Sequence, residues 1–181
     1  MKKQLIGTLV GAIILFIWQF ISWGAINFHK AETQYTPNQD KILAVLSENL
    51  TEGQYFVPGV PLGSSSEEEM AIREQAMGKP WATINYHPEM KMSMPMNMTR
   101  GFVIDFISAF FLCWILLKFG NLNFMDALIA SVMVGLIGYF TITYLNHVWF
   151  ENSTIGYLID AIGSWALVGA WLGWFLPRGS S

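Results

Sequence analysis

The sequence predicts an all-α integral membrane protein: a four-helix transmembrane bundle with a small α+β extracytoplasmic cap inserted between helices 1 and 2. Two observations carry that expectation. Residues 5–28, 102–119 and 124–175 form three apolar stretches, the last long enough to cross a bilayer twice. Between the first two lies a mixed, polar segment with helical and strand patterning. A span needs roughly twenty mostly apolar residues to cross a hydrocarbon core of about 30 Å.

The first helix is assigned to residues 1–28, with no charge from residue 5 onward. Lys2 and Lys3 precede it as they would a signal peptide. The apolar run is too long for a signal core, and Trp23 spoils the small-residue pattern of a cleavage site, so it reads as an uncleaved helix. The second span is assigned to 101–119, with Asp105 and Lys118 near its ends. A polar break at 146–153 divides the third stretch into spans at 124–146 and 154–176. Residues 177–181 resemble a protease-site remnant of recombinant expression.

Lys2, Lys3 and Lys118 fall on one side of a four-span arrangement. Basic residues in short loops favour the cytoplasm. Both termini are therefore expected there, in a multi-pass protein of a bacterial inner membrane, the Met-Lys-Lys start being bacterial in style. The cap, residues 29–100, is then extracytoplasmic. The formal net charge of −3 argues against nucleic acid as a partner. Cys113 is the single cysteine, so no internal disulfide is possible.

Within the cap, Thr36-Pro37 reads as a helix start, followed by Ile42, Leu43, Val45, Leu46 and Leu50 at helical spacing, with Gly53 as the stop. Residues 57–63, rich in proline and glycine, read as a loop. Ser66, followed by Glu67, Glu68 and Glu69, reads as the cap of a second helix running to Gly78. Residues 81–98 alternate with period two, placing Met90, Met92, Met94, Met96 and Met98 on one face of an extended strand. Pro88 and Pro95 restrict that strand to an edge or an unpaired arm. Its methionine face is expected to lie against the outer mouth of the bundle.

Three groups of residues could carry chemistry. Thioethers suit Cu(I), and Met90, Met92, Met94 and Met96 with His87, His29 and His147 form a possible copper site. The run is similar to the methionine-rich segments of copper transporters and periplasmic copper proteins. The similarity stops there: the high-affinity uptake channels have three spans with methionines in the second, and the second span here has none. The alternative is a packing face, because methionine fills irregular apolar contacts. Neither H-x-x-x-H nor H-x-x-E-H is present. Glu151, one turn beyond His147, could join a histidine site.

Asp105 and Asp160 form the second group. A carboxylate in hydrocarbon costs several kcal/mol, about 2.5–3.5 at the centre of a span, so each must face the bundle or a wet cavity. The two are expected either to share such a cavity, with Asn146, Tyr139, Tyr144, Tyr157 or Ser164 as partners, or to act as structural ties. The third group comprises the small-residue pairs Gly7/Gly11, Gly169/Gly173 and Ser131/Gly135, which suit packing within the bundle or a homo-oligomer through the glycine pairs. No nucleophile elbow, Walker lysine or dinucleotide fingerprint is present. The reading therefore leans towards a non-enzymatic accessory or binding protein with a protein partner at the cap. Copper handling, or a small transporter or intramembrane enzyme using Asp105 and Asp160, are the alternatives.

Overall fold

A computed structural model describes residues 1–177 of the chain. The supposed protease remnant therefore lies outside the described residues except for Pro177. The chain divides into two compact units, one formed by Met1–Gln34 with everything from Ser93 onward, the other by Tyr35–Met92.

The first unit is helical. Helix α1 (Lys2–Phe20) ends in a π-helical turn, Ile21–Ala25. In the second unit, α2 (Gln39–Asn49) is followed by β1 (Gly53–Val57), α3 (Ser66–Ala76) and β2 (Ala82–Tyr86). The first unit resumes with α4 (Met94–Leu116) and α5 (Phe124–Gly138). A π-helical stretch, Tyr139–Tyr144, joins α5 to α6 (Leu145–Phe150), and α7 (Ile155–Phe175) completes the fold. Four continuous helices, Lys2–Ala25, Met94–Leu116, Phe124–Phe150 and Ile155–Phe175, are long and apolar enough to cross a membrane. Each carries apolar side chains facing outward, as Ile17, Ile104, Ile137 and Trp174 do.

Side-chain contacts fix the helix directions. Near the ends of α1, Gln19 bonds Asp105 and Gln4 O accepts from the Cys113 thiol, so α1 and α4 are antiparallel. Trp18 bonds Asp160 and the Trp171 indole donates to Gly7 O, so α7 also runs against α1. The bundle is thus up-down-up-down. Its core is Ala12, Leu15, Ala109, Leu112, Cys113, Leu116, Ala127, Val168, Leu172 and Leu176.

Close approach rests on missing side chains. A Cβ on Gly7 would lie 3.1 Å from Cys113 Sγ, and one on Gly169 would lie 2.8 Å from Ser131 Cβ. Gly11 faces Ala109 and Val168, and Gly173 faces Phe124 and Ala127. All the small-residue pairs thus serve contacts within this bundle, where backbones must approach closely if hydrophobic driving force is weak. The tightest point is Gly135, whose Cβ would meet Ala161 O at 2.2 Å.

In the second unit, β1 and β2 pair antiparallel, Gly53 opposite Tyr86 and Val57 opposite Ala82. The β1 strand went unforeseen because Gly53 reads as a helix stop and the run after it is short. Ser65, rather than Ser66, caps α3: its hydroxyl accepts from Glu68 N while the Glu68 carboxylate accepts from Ser65 N, a reciprocal capping box. The long methionine strand is corrected too. Extended pairing stops at Tyr86, and Met94, Met96 and Met98 lie in the first turns of α4. Pro95 explains the change: it cannot serve a ladder, but its fixed φ suits the first turn of a helix. The third long helix likewise continues past 146 to Phe150, where Glu151 ends it at φ 53°.

Packing at Gly135 gives a direct test. Gly135→Ala should lower the unfolding free energy in detergent by about 1–3 kcal/mol, the usual cost of overpacking. Gly138→Ala, with nothing within 4 Å of the new methyl, should not.

Candidate functional site

The end of α1 is built to bring the chain back onto α7. The π-helical turn carries Ser22 and Trp23, and Phe28 N donates to Ser22 O at 2.9 Å as the chain reverses. Asn27 makes the reversal at φ 56°, a left-handed conformation that asparagine tolerates better than most residues. His29 is thereby folded under Trp23, the two rings stacked 3.8 Å apart and 3° from parallel. Gly156 leaves the space: a Cβ there would stand 2.8 Å from His29 Nδ1.

His29 is 2% exposed and held from both sides. Its Nε2 is 2.9 Å from Asp160 Oδ2, and its Nδ1 contacts Glu32 Oε1. Tyr157 OH donates to the other Glu32 oxygen at 2.8 Å, and its ring meets the imidazole edge-on. Burial, the largest single influence, pulls the His29 pKa down. The hydrogen bonds and negative charges of Glu32 and Asp160 together outweigh it and hold the pKa above 6.5. With both ring nitrogens facing carboxylates, the imidazolium, which donates from both, fits the site.

Asp160 is the shared element. Its Oδ1 accepts from Trp18 Nε1 at 2.9 Å and from Ser22 Oγ at 2.5 Å, while Oδ2 faces His29. Gly163, one turn along, makes room for the Trp18 ring, which would lie 2.5 Å from a Cβ. Ser164 Oγ donates to Asp160 O.

On α4, level with Gln19 of α1, Asp105 is 6% exposed. Gln19 Nε2 donates to its Oδ1 at 2.9 Å, and its Oδ2 has no hydrogen-bond partner among the described residues. Asp105 and Asp160 line one cavity of about 160 Å³, together with Gln19, Ser108, Ser164 and the indoles of Trp18 and Trp165. A second cavity, about 600 Å³, is lined by Glu32, Tyr157, Asn146, Glu151, Asn152 and neighbours. Polar groups thus run from the larger cavity through Glu32, His29 and Asp160 to the smaller one and Asp105.

The other residues singled out from sequence are dispersed. His147 Nδ1 lies 2.6 Å from Asn152 O, and Asn146 bonds Ile142 O. His87 belongs to the other unit, where it faces Glu52 at 3.0 Å in solvent. Met90, Met92, Met94 and Met96 are exposed, and those at 94 and 96 point to different sides of α4 by helical geometry. The alternate-residue spacing that suggested a soft-metal face therefore does not hold along this run. No group of three or more His, Cys, Asp or Glu side chains among the described residues is arranged to hold a metal. Tyr139 and Tyr144 meet one another at a tilt and Phe140 edge-on, rather than an acid.

Sequence reasoning missed Trp18, Gln19, Ser22 and Glu32. Glu32, three residues after His29, was the one available signal; the others are ordinary residues at a helix end. No family model matches the chain, nor does any curated protein or solved structure.

His29 sets a pH dependence. A folded-state pKa raised above 6.5 contributes stability that is fully present below 6.5 and is lost as pH rises through the folded value. Thermal melts in detergent should therefore fall across that window on the alkaline side of 6.5. In His29→Gln the same window should be flat.

Proposed function

We propose that the protein is a small multi-pass membrane protein that moves a proton or small cation by way of Asp105, Asp160, His29 and Glu32. In this reading the four long helices cross a bacterial inner membrane. Lys2, Lys3 and Lys118 lie at one end of the antiparallel bundle, which the positive-inside rule assigns to the cytoplasm together with both termini. The His29 cluster then faces outward. One observation carries the reading: Asp160 touches His29 with one oxygen and lines the cavity of Asp105, so that ionisable groups form a continuous series between two cavities. Ionisable side chains within spans are costly, and their retention facing a bundle interior marks ion pathways and proton relays. Asp160 and His29 exchange a proton or an ion between the two cavities, while Trp18 and Ser22 keep the Asp160 carboxylate in place.

Full-length protein in liposomes with a trapped pH-sensitive dye tests this. A pH or cation gradient should dissipate faster than in empty liposomes, and Asp160→Asn, reconstituted as a folded protein with a cooperative melt, should return the rate to that of empty liposomes. Wild-type liposomes as tight as empty ones would remove the reading.

A second reading has its own observation. Helices α2 and α3 bury no residue, and Ile42, Leu43 and Val45 on α2 are exposed. An apolar helix face without cover fits an accessory protein that docks a partner through the inserted unit. A photo-crosslinker at position 43, activated in native membranes, should then yield a discrete heavier adduct that is absent when the probe stands at the solvent-facing position 48.

A further inference from the structure

We infer that the cavity between α1, α4 and α7 is a binding site for one monovalent metal cation of the size of Na⁺, held by Asp105 and Asp160. This rests on the transport reading and names the ion that the bundle handles.

Three observations combine. The first is an unpartnered atom. Asp105 is more than nine-tenths buried, one carboxylate oxygen is taken by Gln19, and the other has no partner among the described residues although the residue lines the cavity. A buried acceptor in that state carries an uncompensated desolvation cost.

The second is charge. Asp105, Asp160 and Glu32 bring three carboxylates, and the cationic partner among their contacts is His29, which faces Asp160 and Glu32 and not Asp105. Ionised Asp105 therefore stands uncompensated in an apolar bundle, and one added positive charge balances it. A divalent ion would find too few carboxylates, since Asp105 and Asp160 are the two that line this cavity and Asp160 already faces His29.

The third is chemistry and room. Besides Asp105 and Asp160, the lining includes Gln19, Ser108 and Ser164, whose side chains carry amide and hydroxyl oxygens. Hard oxygen donors suit alkali and alkaline-earth cations rather than soft metals. A water occupies about 30 Å³ of liquid, so a cavity of about 160 Å³ takes an ion with a few waters completing its shell. Carboxylate oxygens are strong-field ligands and favour Na⁺ over the larger K⁺.

Trp18 and Trp165 line the same cavity and report on it. The experiment is a NaCl titration of the full chain in detergent at constant ionic strength, made up with N-methylglucamine chloride and followed by tryptophan emission. Binding of radioactive ²²Na⁺ to the immobilised protein is measured in parallel. The expected result is a saturable Na⁺ response, weaker for K⁺, that disappears in Asp105→Asn in both measurements. Ser108→Ala, a smaller change on the same wall, should shift the midpoint to higher Na⁺, and a cooperative melt of Asp105→Asn shows that its loss does not come from misfolding. A wild-type protein that binds no ²²Na⁺, or an Asp105→Asn protein that binds it unchanged, overturns the proposal. A response to pH alone does so too, since it would leave Asp105 to a proton. Gradient dissipation without Na⁺ binding overturns the site and leaves the transport reading standing. Na⁺ binding without flux supports the site and removes transport.

Discussion

The arrangement of this bundle turns on one carboxylate. Asp160 on α7 binds Trp18 and Ser22 from the end of α1 and His29 from the chain beyond it. A charge so placed in an apolar environment needs partners on every open side, because an unpaired one costs several kcal/mol. Much of the local structure follows from meeting that demand. The π-helical turn rotates Ser22 towards α7, Asn27 reverses the chain, and Gly156 and Gly163 leave space for the histidine and the indole. Insertions of this kind in an otherwise regular helix recur at functional sites. Here the insertion occurs where the polar groups gather.

The consequence is that residues 29–34 belong with the bundle rather than with the inserted unit, whose compact part begins at Tyr35. Glu32 completes the grip on His29 and is itself held by Tyr157 of α7. The polar groups are tied together at the end where α1 finishes and α7 begins, while the opposite half of the bundle is closed by small residues and aliphatic side chains. Close approach at glycine runs through both halves, from Gly7 to Gly135, while the acids and His29 gather in one. This division is what the proposed ion handling exploits, since the cavities lie in the polar half.

Length and hydropathy made the four long helices legible, because twenty-odd apolar residues leave few alternatives. The glycine and serine pairs were legible as packing signals for the same reason: at helical spacing small residues form a flat strip. Asp105 and Asp160 stood out because acids are rare in such runs, and they line one cavity. What the sequence concealed was partnership. Trp18, Gln19 and Ser22 look like an ordinary helix end, and only the antiparallel register brings them opposite Asp105 and Asp160. The methionine run misled because period two can be written into a helix start as easily as into a strand. Pro95 was decisive there, and it weighed towards the helix. The short strand β1 was hidden for a related reason: its pairing with β2 is a non-local contact that no local pattern announces.

The central claim is that His29 and Asp160 act as a pair, and a double-mutant cycle tests it most directly. Unfolding free energies of the wild type, His29→Gln, Asp160→Asn and the double variant would be measured in one detergent at one pH below 6.5. The account predicts non-additivity, with a coupling of about 1–3 kcal/mol as expected for contacting residues in one network. Additive losses would mean that the two side chains do not depend on each other, and would contradict the account.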